Sequence, residues 1–145
     1  MQNIIRPMQA KDKEAVLAMM RVFYASDAVL SNGSEEIFHN DVDNCVGPSP
    51  YLEGYIFECD GAIQGYAMVA KSFSTEFGKP CIWVEDLYLK PSCRGLGLGS
   101  RFLHYIEEAY PDCVYRLEVE SENGPALRTY TKCGYNILPY MELKK

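Results

Sequence analysis

The sequence has no Cys-x-x-Cys pair, no apolar run of membrane-spanning length and no excess of basic residues. Its six cysteines (45, 59, 81, 93, 113 and 133) stand at least twelve residues apart, which excludes the usual zinc and redox spacings. Only two histidines are present, His39 and His104, far apart and without ligand-like spacing, so no metal is expected. With 14 Lys and Arg against 20 Asp and Glu, the formal net charge is −6. That argues against non-specific nucleic-acid binding, which needs a basic face. It suits a cationic substrate, although net negative charge more often serves solubility. No stretch reaches transmembrane length. Residues Met1 to Pro7 lack a basic region followed by a long apolar core, so no signal peptide is expected. The cysteines therefore read as free thiols of a cytoplasmic protein, with 59, 81 and 113 in strand-like runs as small core residues.

What is present fits one domain over 1–145. Ile4 to Met8 reads as a first strand. Asp12 is placed to cap a helix whose apolar face is Val16, Leu17, Met20, Phe23 and Tyr24. Ser34 to Asn44 forms a more polar second helix carrying Glu35, Glu36, Asp41 and Asp43. Tyr51–Cys59 and Ala62–Phe73 read as a hairpin joined by Asp60-Gly61, the dipeptide that a type I′ turn favours. Cys81–Leu89 is a buried strand and Phe102 to Tyr110 a helix ended by Pro111. Val114–Glu120 alternates as a strand, Pro125–Cys133 is a short helix, and Tyr135–Leu143 is the last strand. The predicted order is β-α-α-β-β-β-α-β-α-β, an α/β (α+β) domain.

The chemistry concentrates in Glu85-Asp86-Leu87-Tyr88-Leu89-Lys90-Pro91-Ser92-Cys93-Arg94-Gly95-Leu96-Gly97-Leu98-Gly99-Ser100. A strand, a loop with alternate glycines and a helix start combine backbone N–H groups into an anion site. A Walker loop would need Gly-Lys-Ser/Thr, and Gly99-Ser100 has no lysine. The dinucleotide fingerprint needs a further glycine where Ser100 or Phe102 stands.

Arg94-x-x-Gly97-x-Gly99 after a strand resembles the acetyl-CoA signature of the GNAT superfamily. Asn123-x-x-Ala126-x-x-x-Tyr130-x-x-x-Gly134-Tyr135 resembles its next motif, at the expected distance. The resemblance covers nearly the whole chain. It implies the GNAT acyl-CoA N-acyltransferase fold: a mixed, mostly antiparallel sheet of six or seven strands flanked by about four helices. It implies that the Cys81–Leu89 and Val114–Glu120 strands splay apart around pantetheine. Leu87, Tyr88 and Leu89 would pair with it through backbone groups. Arg94, Gly95, Leu96, Gly97, Leu98, Gly99 and Ser100 would hold the pyrophosphate, and Asn123 and Ala126 the pantetheine side. Lys132, Arg94 and Lys90 stay open as partners of the outer phosphate. A homodimer is implied, through the terminal strand with Tyr135 and Tyr140.

Acetyl transfer to an amine requires removing the amine's proton and stabilising the leaving thiolate. Matching the family's tyrosine makes Tyr130 the general acid. An unperturbed phenol is a weaker acid than a thiol, so a hydrogen bond to the thiolate is the simpler role. Trp83-Val84-Glu85-Asp86-Leu87-Tyr88-Leu89 and Gly65-Tyr66-Ala67-Met68 resemble the polyamine acetyltransferase branch, which makes Glu85 the candidate base. Glu118 and Glu120 are rivals. Strand alternation would turn Asp86 to the opposite face from Glu85. Cys93 is expected to be exposed and lacks an adjacent base, which argues against a covalent acyl carrier. The expected activity is acetyl-CoA-dependent N-acetylation of a small, polyamine-like primary amine in a ternary complex. A protein lysine or N-terminus, an aminoglycoside, or a CoA-binding sensor without catalysis are the alternatives.

Overall fold

The computed structural model describes residues 2–145. Five strands form one open sheet in sequential order: β1 (Asn3–Pro7), β2 (Leu52–Cys59), β3 (Ala62–Ser74), β4 (Lys79–Leu89) and β5 (Val114–Leu117). The first four pair antiparallel, whereas β5 runs parallel to β4. Four helices flank the sheet: α1 (Lys13–Tyr24), α2 (Glu35–Val46), α3 (Leu98–Ala109) and α4 (Gly124–Lys132).

The β2–β3 turn follows from its dipeptide. Asp60 and Gly61 both take positive φ, 50° and 83°, as a type I′ turn requires. Ser34 caps α2 by accepting the Ile37 N–H at 3.2 Å. Asp12 stands at the start of α1 but does not cap it. Its carboxylate accepts the Gln9 N–H at 2.8 Å and pairs with Arg6, because a buried carboxylate gains more from a cation than from a helix end.

The sheet separates two cores. Val16, Leu17 and Met20 of α1 and Phe38 and Val42 of α2 pack on Ile56, Tyr66, Met68 and Tyr88. On the other face, Phe102, Leu103 and Ile106 of α3 pack on Phe57, Val69, Ile82 and Val84. Cys59 and Cys81 are buried as expected, and Cys113 is half-buried.

Three expectations are corrected. The sheet has five strands because Tyr135–Leu143 forms none. Pro139 interrupts that run and has no N–H for a ladder. β5 ends at Leu117 and does not reach Glu120. Its last pair is Val84↔Leu117, immediately before β4 bulges. Cys93 is buried at 6% exposure, with its Sγ 3.4 Å from that of Cys59, since it anchors the glycine loop in a small apolar cluster with Leu98.

Candidate active site

The site grows from an irregularity in β4. Met68 pairs with Asp86 and Val69 with Val84, so Glu85 has no partner across the ladder. Val84 and Leu87 both pack on the α3 side although three residues apart. Glu85 and Asp86 therefore both turn toward the α1–α2 side, and the expected opposition of the two side chains is overturned by this β-bulge. β4 continues to Leu89 without β5 alongside, which leaves one backbone edge of Leu87, Tyr88 and Leu89 unpaired by strand. Ligands of α/β sheets sit at such carboxyl ends of parallel strands.

At that end lies the glycine loop. Gly95 and Gly97 take φ of 78° and 79°, a region that side-chain-bearing residues rarely enter. A Cβ added at Gly95, Gly97 or Gly99 would meet no atom within 4 Å, so the space above the loop is open. α3 starts at Leu98, and the first turn-closing bond is Arg101 N–H to Gly97 C=O at 3.0 Å. Among the described residues no protein group accepts the N–H groups of Gly95 to Ser100. Open space and a row of unclaimed donors at a helix N-terminus fit a pyrophosphate. Arg94 is committed elsewhere. Its Nε donates to the Leu89 carbonyl at 2.9 Å and its guanidinium lies over the Tyr88 ring. It holds the loop's shape, and its own N–H donates to the Pro91 carbonyl at 3.3 Å, which leaves the donors of Gly95 to Ser100 for a ligand.

Past β5, Asn123 opens α4. Its Oδ1 accepts the Ala126 N–H at 3.3 Å, so only its amide nitrogen is free for a ligand. One turn further, Tyr130 enters a cleft of about 1160 Å³ between β4, β5, α4 and the C-terminal segment. Burial raises the Tyr130 phenol, which keeps it protonated. Trp83, Glu85, Glu118 and Glu142 line the same cleft.

The carboxylates there are crowded. Contact with Glu142, followed by burial and by the charges of Glu142 and Glu85, pushes Glu118 up to about 7. Glu85 remains solvent-accessible at the cleft, yet burial, then Asp86 and Glu142, raise it. Asp41 of α2 is raised to about 6 by burial and by Asp86 and Glu85. Asp86 is buried at 4% exposure and accepts hydrogen bonds from Tyr24 (2.9 Å) and Tyr66 (2.7 Å). None of these five carboxylates is ion-paired among the described residues. Of the other acids on α2, Glu35 pairs with Arg21 and Asp43 with Lys13.

The structure thus brings Glu85, Glu118 and Tyr130 into one cleft and gathers Leu87 to Leu89 and the Arg94–Ser100 loop at the end of β4. Glu120 does not line the cleft. Sequence reasoning missed Glu142, because the register of an irregular tail has no local signal. It also missed the Tyr24–Asp86–Tyr66 group, whose only trace was a carboxylate in an apolar strand.

Fold, loop and cleft together define an acyl-CoA-dependent transferase, and the chain belongs to the GNAT acetyltransferase family. Residues 17–135 match the model of that family, described as "Acetyltransferase (GNAT) family". An uncharacterized N-acetyltransferase of Methanocaldococcus jannaschii is 29% identical over 140 residues, covering 91% of this chain and 77% of that protein. Thialysine N-epsilon-acetyltransferase of Bos taurus is 35% identical over 75 residues, covering 50% of this chain and 44% of the relative. The aminoglycoside acetyltransferase AAC(6')-Iy, solved with a CoA-containing bisubstrate analogue, superposes with a TM-score of 0.80 at 14% identity. It covers 100% of this chain and 98% of its own, a likeness of fold. The chain is an N-acetyltransferase enzyme. No helix among the described residues is long and apolar enough to cross a membrane.

Proposed function

We propose that this single-domain enzyme acetylates a primary amine of a small di- or polyamine-like substrate from acetyl-CoA, by direct attack in a ternary complex. One observation carries the substrate class: the cleft holding Tyr130 is lined by Glu85, Glu118 and Glu142, none of them ion-paired among the described residues. A dication entering it offsets like-charge repulsion at each end. The name of the thialysine acetyltransferase relative agrees with an amine on a short flexible stem.

The N–H groups of Gly95 to Ser100 bind the pyrophosphate of CoA. The strand-free edge of Leu87 to Leu89, where Arg94 already occupies the Leu89 carbonyl, and the Asn123 amide orient the pantetheine arm beside Ala126. Glu85, directly or through water, takes the proton of the ammonium, since only about one amine in a thousand is free base near neutral pH. The nitrogen lone pair forms the bond to the acetyl carbon as the carbon–sulfur bond breaks, the electron pair leaves on sulfur, and the acetylated nitrogen's excess proton passes to that thiolate, directly or through water, to give the neutral amide and CoA thiol. Tyr130 donates a hydrogen bond to that sulfur. Its raised phenol makes full proton transfer unfavourable, so stabilisation of the thiolate is its main role. The enzyme works in the cytoplasm, as a homodimer, and neither a metal nor nucleic acid takes part.

The test is CoA release from acetyl-CoA across an amine panel containing diamines, spermidine, a thialysine-like amino acid, an aminoglycoside and a lysine peptide. Diamines and spermidine are expected to give the highest kcat/KM. Preference for the aminoglycoside or the peptide overturns the substrate class. Acetyl-CoA binding without release by any amine overturns the enzyme reading in favour of a sensor.

A further inference from the structure

Asp86 is the most deeply buried carboxylate near the cleft, and no cation compensates it among the described residues. An isolated buried charge is costly unless hydrogen bonds hold it. Here Tyr24 of α1 donates to one carboxylate oxygen and Tyr66 of β3 to the other, at 2.9 and 2.7 Å. Burial raises the Asp86 carboxyl, and the two donors on its two oxygens oppose that shift by favouring the anion, which has acceptors only. The tyrosines are themselves fixed. Tyr66 has no exposed surface, and Phe23 meets both rings edge-on. The bulge then sets this clamped carboxylate next to Glu85 on the same face of the sheet.

We infer that Asp86, held by Tyr24 and Tyr66, is a positioning residue: a fixed negative charge beside Glu85 that makes Glu85 a better proton acceptor. Asp86 lies behind the cleft and does not line it, so it acts through Glu85. The inference rests on the reading of Glu85 as the base. The other groups facing Glu85 are Tyr24 of α1, Asp41 of α2, Glu118 of β5's exit and Glu142 of the C-terminal segment. None is a cation. Asp86 differs from the other acids in being sealed from water, where salt and solvent screen its charge least.

The experiment is the pH dependence of kcat/KM for wild type, Asp86→Asn, Tyr24→Phe and Glu85→Gln, with one diamine in every arm so that the substrate's own ionisation cancels. Removing the Asp86 charge eases ionisation of Glu85. The acid-side inflection is therefore expected to move to lower pH in Asp86→Asn, with a several-fold lower plateau and unchanged acetyl-CoA Kd. Tyr24→Phe, which keeps the ring and removes one donor, moves it in the same direction by less and serves if Asp86→Asn fails to fold. A purely structural role lowers yield or stability without moving the inflection. An inflection abolished in Glu85→Gln but unmoved in both other variants overturns the inference and leaves the base in place. An inflection that survives Glu85→Gln overturns the base reading itself, and the inference with it.

Discussion

Arg6 grips Asp12 through two hydrogen bonds, 2.8 and 3.0 Å long, where β1 turns into the first helix. Asp12 is 2% exposed, and the Arg6 hydrogen bond holds its carboxyl below the usual range despite burial. Removing the carboxylate leaves a partly buried guanidinium short of a partner. Asp12→Ala is expected to cost about 3 kcal/mol in urea denaturation. The sign with pH is that of a depressed acid. The contribution is complete above about pH 4 and fades as pH falls through the lower folded-state value. Wild-type and variant stabilities should therefore converge in acid.

Gly97 opens α3 at φ 79°. A β-branched side chain is strained there and fills the open space above the loop. Gly97→Val is expected to weaken acetyl-CoA binding about tenfold or more, equivalent to about 1.4 kcal/mol. Isothermal titration calorimetry measures it. Unchanged affinity would place the pyrophosphate elsewhere.

Gly65 tests the fold rather than the site. A Cβ there would lie 2.5 Å from the Tyr88 carbonyl oxygen and 3.0 Å from Phe57. Neither the backbone of β4 nor a fully buried ring can yield cheaply. Gly65→Ala should lower stability by about 2 kcal/mol, read as a fall in thermal midpoint.

Glu142 reaches the cleft from the C-terminal segment and is the main cause of Glu118 titrating at about 7. In Glu142→Gln the carboxyl carbon of Glu118, followed by NMR, should titrate nearer the ordinary carboxylate range. A wild-type Glu118 already in the ordinary carboxylate range would mean that the tail does not approach β5 in solution, and a variant value left near 7 would make burial rather than Glu142 the cause.

Much of this was legible because it is local. Asp60-Gly61 dictates its turn, Pro111 ends α3, and Arg94-x-x-Gly97-x-Gly99 sets glycines where a strand gives way to a helix. The sheet's outer edge was not legible. Ile137 to Leu143 has strand composition, yet strand formation depends on a partner's register, and Pro139 denies it one of the needed donors. Alternation failed at Glu85 for a related reason. A bulge is a property of two paired strands, invisible in β4 alone. Tyr130 was found from its motif, whereas Asp86 was misplaced for want of that one inserted residue.

Glu85 and Tyr130 line one cleft, from which both are proposed to serve acetyl transfer. Rapid-mixing measurement of the single-turnover acetyl-transfer rate to spermidine, for wild type and Tyr130→Phe at saturating acetyl-CoA, tests it most directly. The Tyr130→Phe rate should be lower by about a hundredfold, the order lost with one oxyanion-stabilising donor, with acetyl-CoA affinity unchanged. A variant that transfers at the wild-type rate would contradict it.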